Sequence, residues 1–318
     1  MSAAADADSF DPVDTAVKRI RGVYGGWGRD TPIARMRADW DELFASQGAG
    51  TTADGINAGG IETERAVAGG VDSLWVCAGA ADVARVLVYF HGGGYTLGSV
   101  RSHLDLMARI SLAARCRVLG VNYRLAPEHL FPAPLQDAVA VYEWLLAQGL
   151  TASSIAFAGD SAGGGLAAAA MLALRERKQP LPAAAVMLSA WTDLSAQGES
   201  YVTRAAADPI HQREMLLGTA RRYLGPGNAR DPLASPLFGD LSGFPPLLLQ
   251  VGDRETVLDD STRFADKARA AGAEVQLEVY ANMIHVFQQF PGLLREAGQA
   301  VDSIGLFLRR VWDRRGFE

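Results

Sequence analysis

Cysteine is scarce in this chain, and so are the patterns that mark metal-binding proteins. Of the 318 residues only Cys77 and Cys116 are cysteines, and they form no C-x-x-C pair. Isolated cysteines usually serve as small buried apolar side chains, and they are common in a reducing compartment. We therefore expect a cytoplasmic protein. There is no H-E-x-x-H motif and no other close spacing of histidines and carboxylates, so the sequence predicts no metal site.

Long apolar runs and a basic leader are also missing. The most apolar stretch, around residues 166–174, is far shorter than the roughly 20 residues that cross a bilayer. The first ten residues, MSAAADADSF, are acidic and lack the basic and apolar regions of a secretory signal. We therefore expect no stable anchoring in a membrane.

An excess of positive charge is absent as well. The chain carries 30 Lys and Arg against 36 Asp and Glu, a net charge of −6 that disfavours a nucleic-acid partner. It has no G-x-x-x-x-G-K-[ST] motif, and the glycine-rich segment at 22–28 does not follow a strand, which argues against a phosphate-binding loop. The remaining composition is that of a globular chain able to bury one large core, with a small molecule as the expected partner.

From about residue 60 onward, short apolar segments alternate with helical patterns. Strands that are apolar on both faces and alternate with helices are typical of a mostly parallel sheet covered on both sides. The predicted strands are 73–77, 85–90, 117–122, 154–158, 183–188, 246–251 and 275–280, and the predicted helices include 103–114, 135–146, 261–271 and 298–312.

Two parts of the chain depart from this alternation. Residues 1–50 carry an apolar helix face, and residues 193–244 contain apolar residues at loosely helical spacing. We predict that residues 51–192 and 245–318 form the core and that the two other segments form a helical cap over a site. A helix simply docked on the core would show the same apolar face.

The segment G-D-S-A-G at 159–163 lies between a predicted buried strand and a predicted helix of small residues. A G-x-S-x-G motif in this context is typical of a nucleophile elbow, a tight turn that strains the serine backbone and lifts its hydroxyl clear of the sheet. The flanking glycines let helix and strand approach closely. The pattern predicts Ser161 as a nucleophile.

A serine hydroxyl needs a base to take its proton, and the chain has five histidines: His91, His103, His129, His211 and His285. Where a nucleophile elbow occurs, the order along the chain is serine, acid, histidine, which leaves two of them. His285 follows the last predicted strand and would be carried over the elbow by a loop. His211 lies in the predicted cap, with no sheet to fix it, so we predict His285 as the base.

An oxyanion needs backbone N–H donors. H-G-G-G at 91–94 directly follows a predicted strand, and consecutive glycines let bare backbone approach a substrate carbonyl. We expect Gly93 and Gly94 to supply two donors and Ala162, next to the nucleophile, a third. His91 is expected to orient this loop rather than to carry a proton.

The acid that orients His285 stays open at this point. The loop after the strand at 246–251 holds four carboxylates, and Asp253, Glu255 or Asp259 could each reach the histidine. Most surface carboxylates are merely solvated, so most of the four are expected to have no catalytic role.

Together these residues resemble the bacterial hormone-sensitive-lipase-like esterases of the α/β-hydrolase superfamily. The resemblance implies an α/β fold with a mostly parallel eight-stranded sheet flanked by helices and a helical cap. It also implies a cofactor-free carboxylesterase that acts through an acyl-enzyme on short- to medium-chain esters, and a homodimer through a sheet edge. The motifs that carry it are H-G-G-G at 91–94, Y-R-L-A-P-E at 123–128, G-D-S-A-G-G at 159–164, W-T-D-L at 191–194 and H-V-F at 285–287.

At the acid position the chain departs from the family pattern. Many members carry Asp-Pro-Leu-x-Asp, whose first aspartate is the triad acid, whereas this chain has E-T-V-L-D at 255–259. Aligning the two patterns implies Glu255 as the acid, 30 residues before His285, with Asp253 as the alternative.

The cap is expected to supply the substrate pocket, with Trp40, Phe44, Tyr95, Tyr201 and Met215 in its wall. The same three catalytic groups would also serve a lactonase, an amidase or an arylformamidase. A ligand-binding receptor is a further alternative, since the plant gibberellin receptors resemble this family but lack the catalytic histidine, which is present here as His285.

Overall fold

An eight-stranded sheet forms the centre of the protein in the computed structural model, which describes residues 11–48 and 60–315. The strands run in the order β1-β2-β4-β3-β5-β6-β7-β8. Their bounds are β1 Ile61–Ala68, β2 Val71–Ala78, β3 Asp82–Phe90, β4 Cys116–Val121, β5 Ile155–Asp160, β6 Ala185–Leu188, β7 Leu247–Gly252 and β8 Val275–Tyr280.

Helices cover both faces of this sheet. Those of the described residues are α1 Pro12–Gly25, α2 Ile33–Gly48, α3 Leu104–Ala114, α4 Ala133–Ala147, α5 Ala162–Glu176, α6 Ser200–Thr203, α7 Arg213–Leu224, α8 Leu258–Ala270 and α9 Arg295–Arg315. Helices α4, α5 and α8 share one hydrophobic cluster with one face of the sheet, and α3 and α9 share a second with the other face. None of these helices combines the length and apolar content needed to cross a bilayer.

Most strands of the sheet are parallel, and the central ones are buried on both faces. Strands β3 to β8 pair in parallel, and β2 is antiparallel to both of its neighbours. Every residue of β5, β6 and β7 is buried, as expected for strands with helices on both faces. The predicted α/β-hydrolase fold with a mostly parallel eight-stranded sheet is confirmed.

The strand that the sequence pattern missed is β1. Six of its eight residues are exposed, and it pairs only with β2 at the edge of the sheet. An edge strand with little buried surface shows no alternation of apolar and polar side chains, so nothing in Ile61–Ala68 marks it as a strand.

Helices α1 and α2 form a layer of their own. Their apolar residues pack with the segment at 283–294, which carries the loop after β8. Asp11 caps α1, because its carboxylate accepts a hydrogen bond from the N–H of Val13 at 2.8 Å.

The inserted segment at 193–244 contributes α6 and α7. The first segment is thus largely helical within residues 11–48, whereas residues 193–244 are helical only in α6 and α7. Both segments contact the loops at the carboxyl ends of the strands.

Candidate active site

Ser161 lies in the turn between β5 and α5. Its backbone has φ of 51° and ψ of −119°, a conformation that non-glycine residues rarely adopt. Hydrogen bonds hold it there, since its N–H donates to the carbonyl of Leu188 at 2.8 Å and its carbonyl accepts from Trp191 at 2.9 Å and Gly165 at 3.1 Å. This is the strained elbow that the motif predicts.

Glycine is required in this elbow because backbones meet there. A Cβ at Gly163 would collide with the carbonyl oxygen of Phe90, and one at Gly159 would collide with the backbone of Gly163. These close approaches let α5 begin directly beneath Ser161. The positive end of the 15-residue helix therefore points at the position where a substrate oxygen would become negative.

His285 and Glu255 form a buried pair. Nδ1 of His285 lies 2.7 Å from Oε2 of Glu255, and the glutamate is completely buried. The loop after β7 supplies the acid, and the loop after β8 supplies the histidine, so two neighbouring parallel strands bring them together. A carboxylate at Nδ1 fixes the tautomer that leaves Nε2 available as a base.

The other carboxylate oxygen of Glu255 is also held. Oε1 accepts hydrogen bonds from Oγ of Ser189 at 2.7 Å and from the N–H of Gly252 at 2.5 Å. Oγ of Ser189 in turn accepts a bond from the N–H of Val286 at 3.0 Å, which ties the acid to the histidine loop. Sequence reasoning missed Ser189, although its place directly after β6, at the carboxyl end of a central strand, is a signal for such a role.

The surroundings of His285 raise its pKa above the ordinary value. Burial by itself lowers the pKa, but the hydrogen bond to Glu255 and the negative charges of Glu255, Asp208 and Asp160 outweigh it. The protonated form that a general base passes through is therefore stabilised at this position.

The other candidate acids lie elsewhere. Oδ1 of Asp253 accepts a bond from the N–H of Asn282 at 2.7 Å and joins the loop after β7 to the loop after β8. Oδ2 of Asp259 accepts from the N–H of Ser200 at 2.9 Å and so fastens α6 to α8. Of the carboxylates that the sequence left open, Glu255 is the one that the structure pairs with His285.

The predicted oxyanion donors lie on two sides of Ser161. Gly93 has φ of 117° and Gly94 has φ of 61°, so this loop depends on glycine. Their N–H groups, and that of Ala162 at the start of α5, donate to no acceptor within residues 11–48 and 60–315. Both glycines and Ser161 line the same cavity, where these donors are available to a ligand.

A buried polar network holds the oxyanion loop. Oδ1 of Asp160 accepts from the N–H of Gly92 at 2.9 Å and from the hydroxyl of Tyr89 at 2.9 Å, and it lies 3.2 Å from Nε2 of His103. Burial raises the pKa of Asp160, but His103 and these hydrogen bonds outweigh it and keep the pKa low. The residue between Gly159 and Ser161 in the motif thus positions the backbone of the loop opposite.

His91 belongs to the same network. Its ring stacks on Tyr123 with centroids 4.3 Å apart, and its Nδ1 lies 2.8 Å from the carbonyl of Gly92. Burial and the neighbouring His103 lower its pKa to about 3, so the ring is neutral. Those contacts fit the predicted role as an orienter of the loop.

A cavity of about 540 Å³ opens over Ser161 and His285. Its size is within the range of small-molecule sites. Most of the wall is apolar, and α1, α2 and α7 each supply part of it, so both parts of the predicted cap contribute. Three of the five predicted pocket residues line it, namely Trp40, Phe44 and Met215.

Tyr95 and Tyr201 do not line this cavity, and their assignment to the pocket is wrong. The ring of Tyr95 is buried and stacks on Tyr223 of α7 at 3.8 Å between centroids. Tyr201 is also buried, and its hydroxyl donates to Oδ1 of Asp260 at 2.9 Å. Both tyrosines fasten the cap to the core, a role that long-range packing decides and that sequence spacing does not reveal.

Sequence reasoning also passed over His211. The structure places its ring against that of His285, with centroids 4.4 Å apart and the planes at 82°. The side chain lines the cavity. Its position in the inserted segment, far from any strand, gave no signal of this contact.

No cluster of three or more histidine, cysteine or acidic side chains that could hold a metal ion occurs in the part of the chain that the structure describes. Cys77 and Cys116 are free thiols, the first half-buried and the second buried.

Comparison with known proteins agrees with this geometry. The α/β hydrolase fold family matches residues 87–289. An acetyl-hydrolase of Streptomyces hygroscopicus is 45% identical over 74% of this chain and 78% of its own length, and an esterase of Acinetobacter venetianus is 37% identical over 71% and 75%. The crystal structure of an esterase from the bacterial hormone-sensitive lipase family superposes with a TM-score of 0.88 at 46% identity, covering 95% of this chain and 98% of that one. The chain belongs to the α/β hydrolase fold family, among the bacterial hormone-sensitive-lipase-like esterases.

Proposed function

We propose that this protein is a carboxylesterase that hydrolyses short- to medium-chain esters, with Ser161 as nucleophile, His285 as base and Glu255 as acid. The observation that carries the proposal is the 2.7 Å contact between Glu255 and His285, on a cavity that also exposes Ser161 at a strained elbow. The esterase names of the relatives support the same activity.

The reaction proceeds in two halves. Oγ of Ser161 attacks the ester carbonyl while Nε2 of His285 takes the hydroxyl proton, and the carbonyl electrons move to the oxygen. The N–H groups of Gly93, Gly94 and Ala162 hold the oxyanion. His285 then passes its proton to the leaving alcohol as the C–O bond breaks, which leaves an acyl-enzyme. Water repeats the sequence and releases the acid, and Ser161 regains its proton.

Glu255 stabilises the intermediate state of this cycle. When His285 is protonated, its Nδ1–H donates to a buried carboxylate whose other oxygen is already held by Ser189 and Gly252. The carboxylate cannot turn away, so the imidazolium keeps its orientation without reorganisation of its surroundings. Oγ of Ser161 makes no hydrogen bond within the described residues, and a bond to Nε2 of His285 is expected to form when substrate fills the cavity.

The proposed acyl range follows from the cavity. Aromatic side chains of α1, of α2 and of the turn between them line it, among them Tyr24, Trp27 and Trp40, and the ring of Tyr24 packs on both tryptophans. We expect acyl chains of about two to eight carbons to be hydrolysed better than chains of twelve or more, since a largely apolar cavity of this size fits small ligands.

A series of esters of one alcohol, from acetate to laurate, tests this function. The proposal predicts a maximum of kcat/KM at or below eight carbons. Higher efficiency on laurate than on butyrate would contradict the acyl range. A lactone, an anilide and an N-formylarylamine in the same screen separate the alternatives, because faster turnover of one of these would identify a lactonase, an amidase or an arylformamidase.

We further propose that the enzyme works as a homodimer in the cytoplasm. The free edge of β8 supports the first part, because an unpaired sheet edge is a ready surface for a second copy. The two free cysteines support the second part. Sedimentation at several concentrations tests the dimer, and a sedimentation coefficient of a monomer at all of them would contradict it.

A further inference from the structure

His211 is the polar cap residue that touches the proposed base. Its ring meets the ring of His285 edge to face at 4.4 Å between centroids, and its side chain lines the cavity. The catalytic cycle proposed above assigns it no task.

Hydrogen bonds fix the position of His211 relative to the catalytic loop. Oδ1 of Asp208 accepts from the N–H of His211 at 2.9 Å. Oδ2 of the same aspartate accepts from the N–H and the hydroxyl of Thr256, at 2.8 and 3.0 Å. Thr256 directly follows Glu255, so one buried carboxylate joins the cap segment to the loop of the acid. The backbone at His211 is therefore tied to the loop that carries the acid.

The ring of His211 has unused hydrogen-bonding capacity. Nδ1 is buried without a partner, and Nε2 has none among the described residues. A buried polar atom without a partner is costly, and such atoms are few in native proteins. Nδ1 is enclosed, whereas the ring borders the cavity, so a bound substrate can give Nε2 a partner.

The ring is neutral, which limits the chemistry of that partner. Burial and the nearby His285 lower the pKa of His211 to about 3, against the opposing charge of Asp208. A neutral imidazole offers one N–H donor and one acceptor nitrogen. It suits a hydroxyl or ether oxygen, and it gives no ionic attraction to a carboxylate or phosphate.

The side of the substrate that faces His211 follows from the proposed function. His285 must return its proton to the leaving oxygen, so the alcohol part of the ester lies against the ring of His285. The carbonyl oxygen points the other way, to Gly93, Gly94 and Ala162. A residue in contact with the ring of His285 is therefore next to the alcohol.

We propose that His211 is a specificity-determining residue of the alcohol subsite, where a ring nitrogen hydrogen-bonds a neutral oxygen carried by a short alcohol group. The inference rests on the proposed esterase function and names a substrate class for it: esters of diols and alkoxy-alcohols. A subsite built to hydrogen-bond an oxygen disfavours an alcohol that lacks one, because the polar ring is then left unpaired.

Matched butyrate esters test this inference. 2-Hydroxyethyl butyrate is compared with propyl butyrate, and 2-methoxyethyl butyrate with butyl butyrate, so that each pair differs by one oxygen. In H211F the ratio of kcat/KM, polar over apolar ester, is expected to fall about three- to tenfold below the wild-type ratio, the effect of one net hydrogen bond. H211Q, which keeps donor and acceptor, is expected to restore part of it. H129F is the control, since His129 is exposed and lies outside the cavity.

Four results would overturn the inference. One is a polar-over-apolar ratio of kcat/KM in H211F that equals the wild-type ratio. If thermal melting shows that H211F does not fold, H211L takes its place. Another is no recovery in H211Q. A third is an equal shift in H129F. The fourth is a shift in a pair that differs on the acyl side, ethyl 4-hydroxybutyrate against ethyl pentanoate, which would put His211 in the acyl subsite. If wild-type protein hydrolysed no ester at all, the proposed function would fail together with the inference, whereas an unchanged ratio with normal turnover refutes the inference alone.

Discussion

At the scale of single residues, the two carboxylate oxygens of Glu255, the proposed acid, have different partners. Glu255 departs from the aspartate of the family pattern by one additional methylene group, and its Oε2 lies 2.7 Å from Nδ1 of His285. Oε1 stays bound to Ser189 and Gly252. The two oxygens thus do separate tasks, one anchoring the side chain and the other orienting the imidazole.

The variant Glu255→Gln tests this assignment. It keeps the shape of the side chain but removes its charge, so the imidazolium loses its stabilising partner. We expect kcat to fall by several orders of magnitude, as for the aspartate-to-asparagine change in a serine protease, which costs roughly 10⁴-fold. Asp253→Asn is the matched control and should stay within a few-fold of wild type, because an amide oxygen can still accept the bond from Asn282. The measurement is kcat from steady-state kinetics on butyrate esters. A strongly reduced kcat in Asp253→Asn, together with a kcat near wild type in Glu255→Gln, would refute the assignment.

The pH profile should report the raised pKa of His285. Only neutral His285 can take the proton of Ser161, so kcat/KM falls as pH drops through the pKa of the free enzyme. Because the pKa lies above the ordinary value of about 6.5, the acid limb is expected above that pH. In Glu255→Gln the raising influence of the carboxylate is gone, and the limb should move to lower pH. A wild-type limb below pH 6, or no movement in the variant, would contradict the account.

At the scale of elements, α2 is fastened to the oxyanion loop by one arginine. Nε of Arg37 donates to the carbonyl of Thr96 at 2.9 Å, one terminal nitrogen reaches the carbonyl of Ala126 at 3.0 Å, and the fork binds both oxygens of Glu128. This arginine joins the first part of the cap to the core directly after Gly93 and Gly94.

Removal of this contact should loosen α2. In Arg37→Met we expect amide hydrogen exchange within residues 33–48 to become at least about tenfold faster, since several hydrogen bonds to a charged group are lost together. The control is Arg35→Met, because Arg35 is largely exposed and pairs only within the helix, with Asp39. Exchange in Arg37→Met as slow as in the Arg35 variant would show that the other contacts of α2, among them the hydrogen bond from Ser99 to Asp41, hold the helix without Arg37.

The central strands and the elbow could be predicted from the sequence because burial on both faces leaves an unbroken apolar pattern. β5, β6 and β7 are such strands, and Ser161 and His285 follow from motif and order. Strand β1 could not be predicted, since its side chains are mostly exposed. Ser189 and His211 were missed for another reason: their contacts with Glu255 and His285 join segments far apart in the chain.

At the scale of the whole molecule, the site exists only where three separate parts of the chain meet. The core supplies Ser161, Glu255 and His285, the first helices supply the aromatic wall, and the inserted segment supplies His211 and Met215. Sequence order indicated that both cap segments lie over the core. It did not show which of their side chains turn inward, so Trp40, Phe44 and Met215 line the cavity as predicted and Tyr201 does not. Tyr95, in the core loop after β3, instead stacks on Tyr223.

Covalent labelling with a fluorophosphonate tests the central claim most directly, because only a serine activated by its base reacts quickly with such a reagent. Intact-mass measurement should show one adduct per chain, and peptide mapping should place it on Ser161. The adduct should be absent in Ser161→Ala and form far more slowly in His285→Gln, with both variants melting as the wild type does. An adduct on another residue, or ester hydrolysis that persists in Ser161→Ala, would contradict the account.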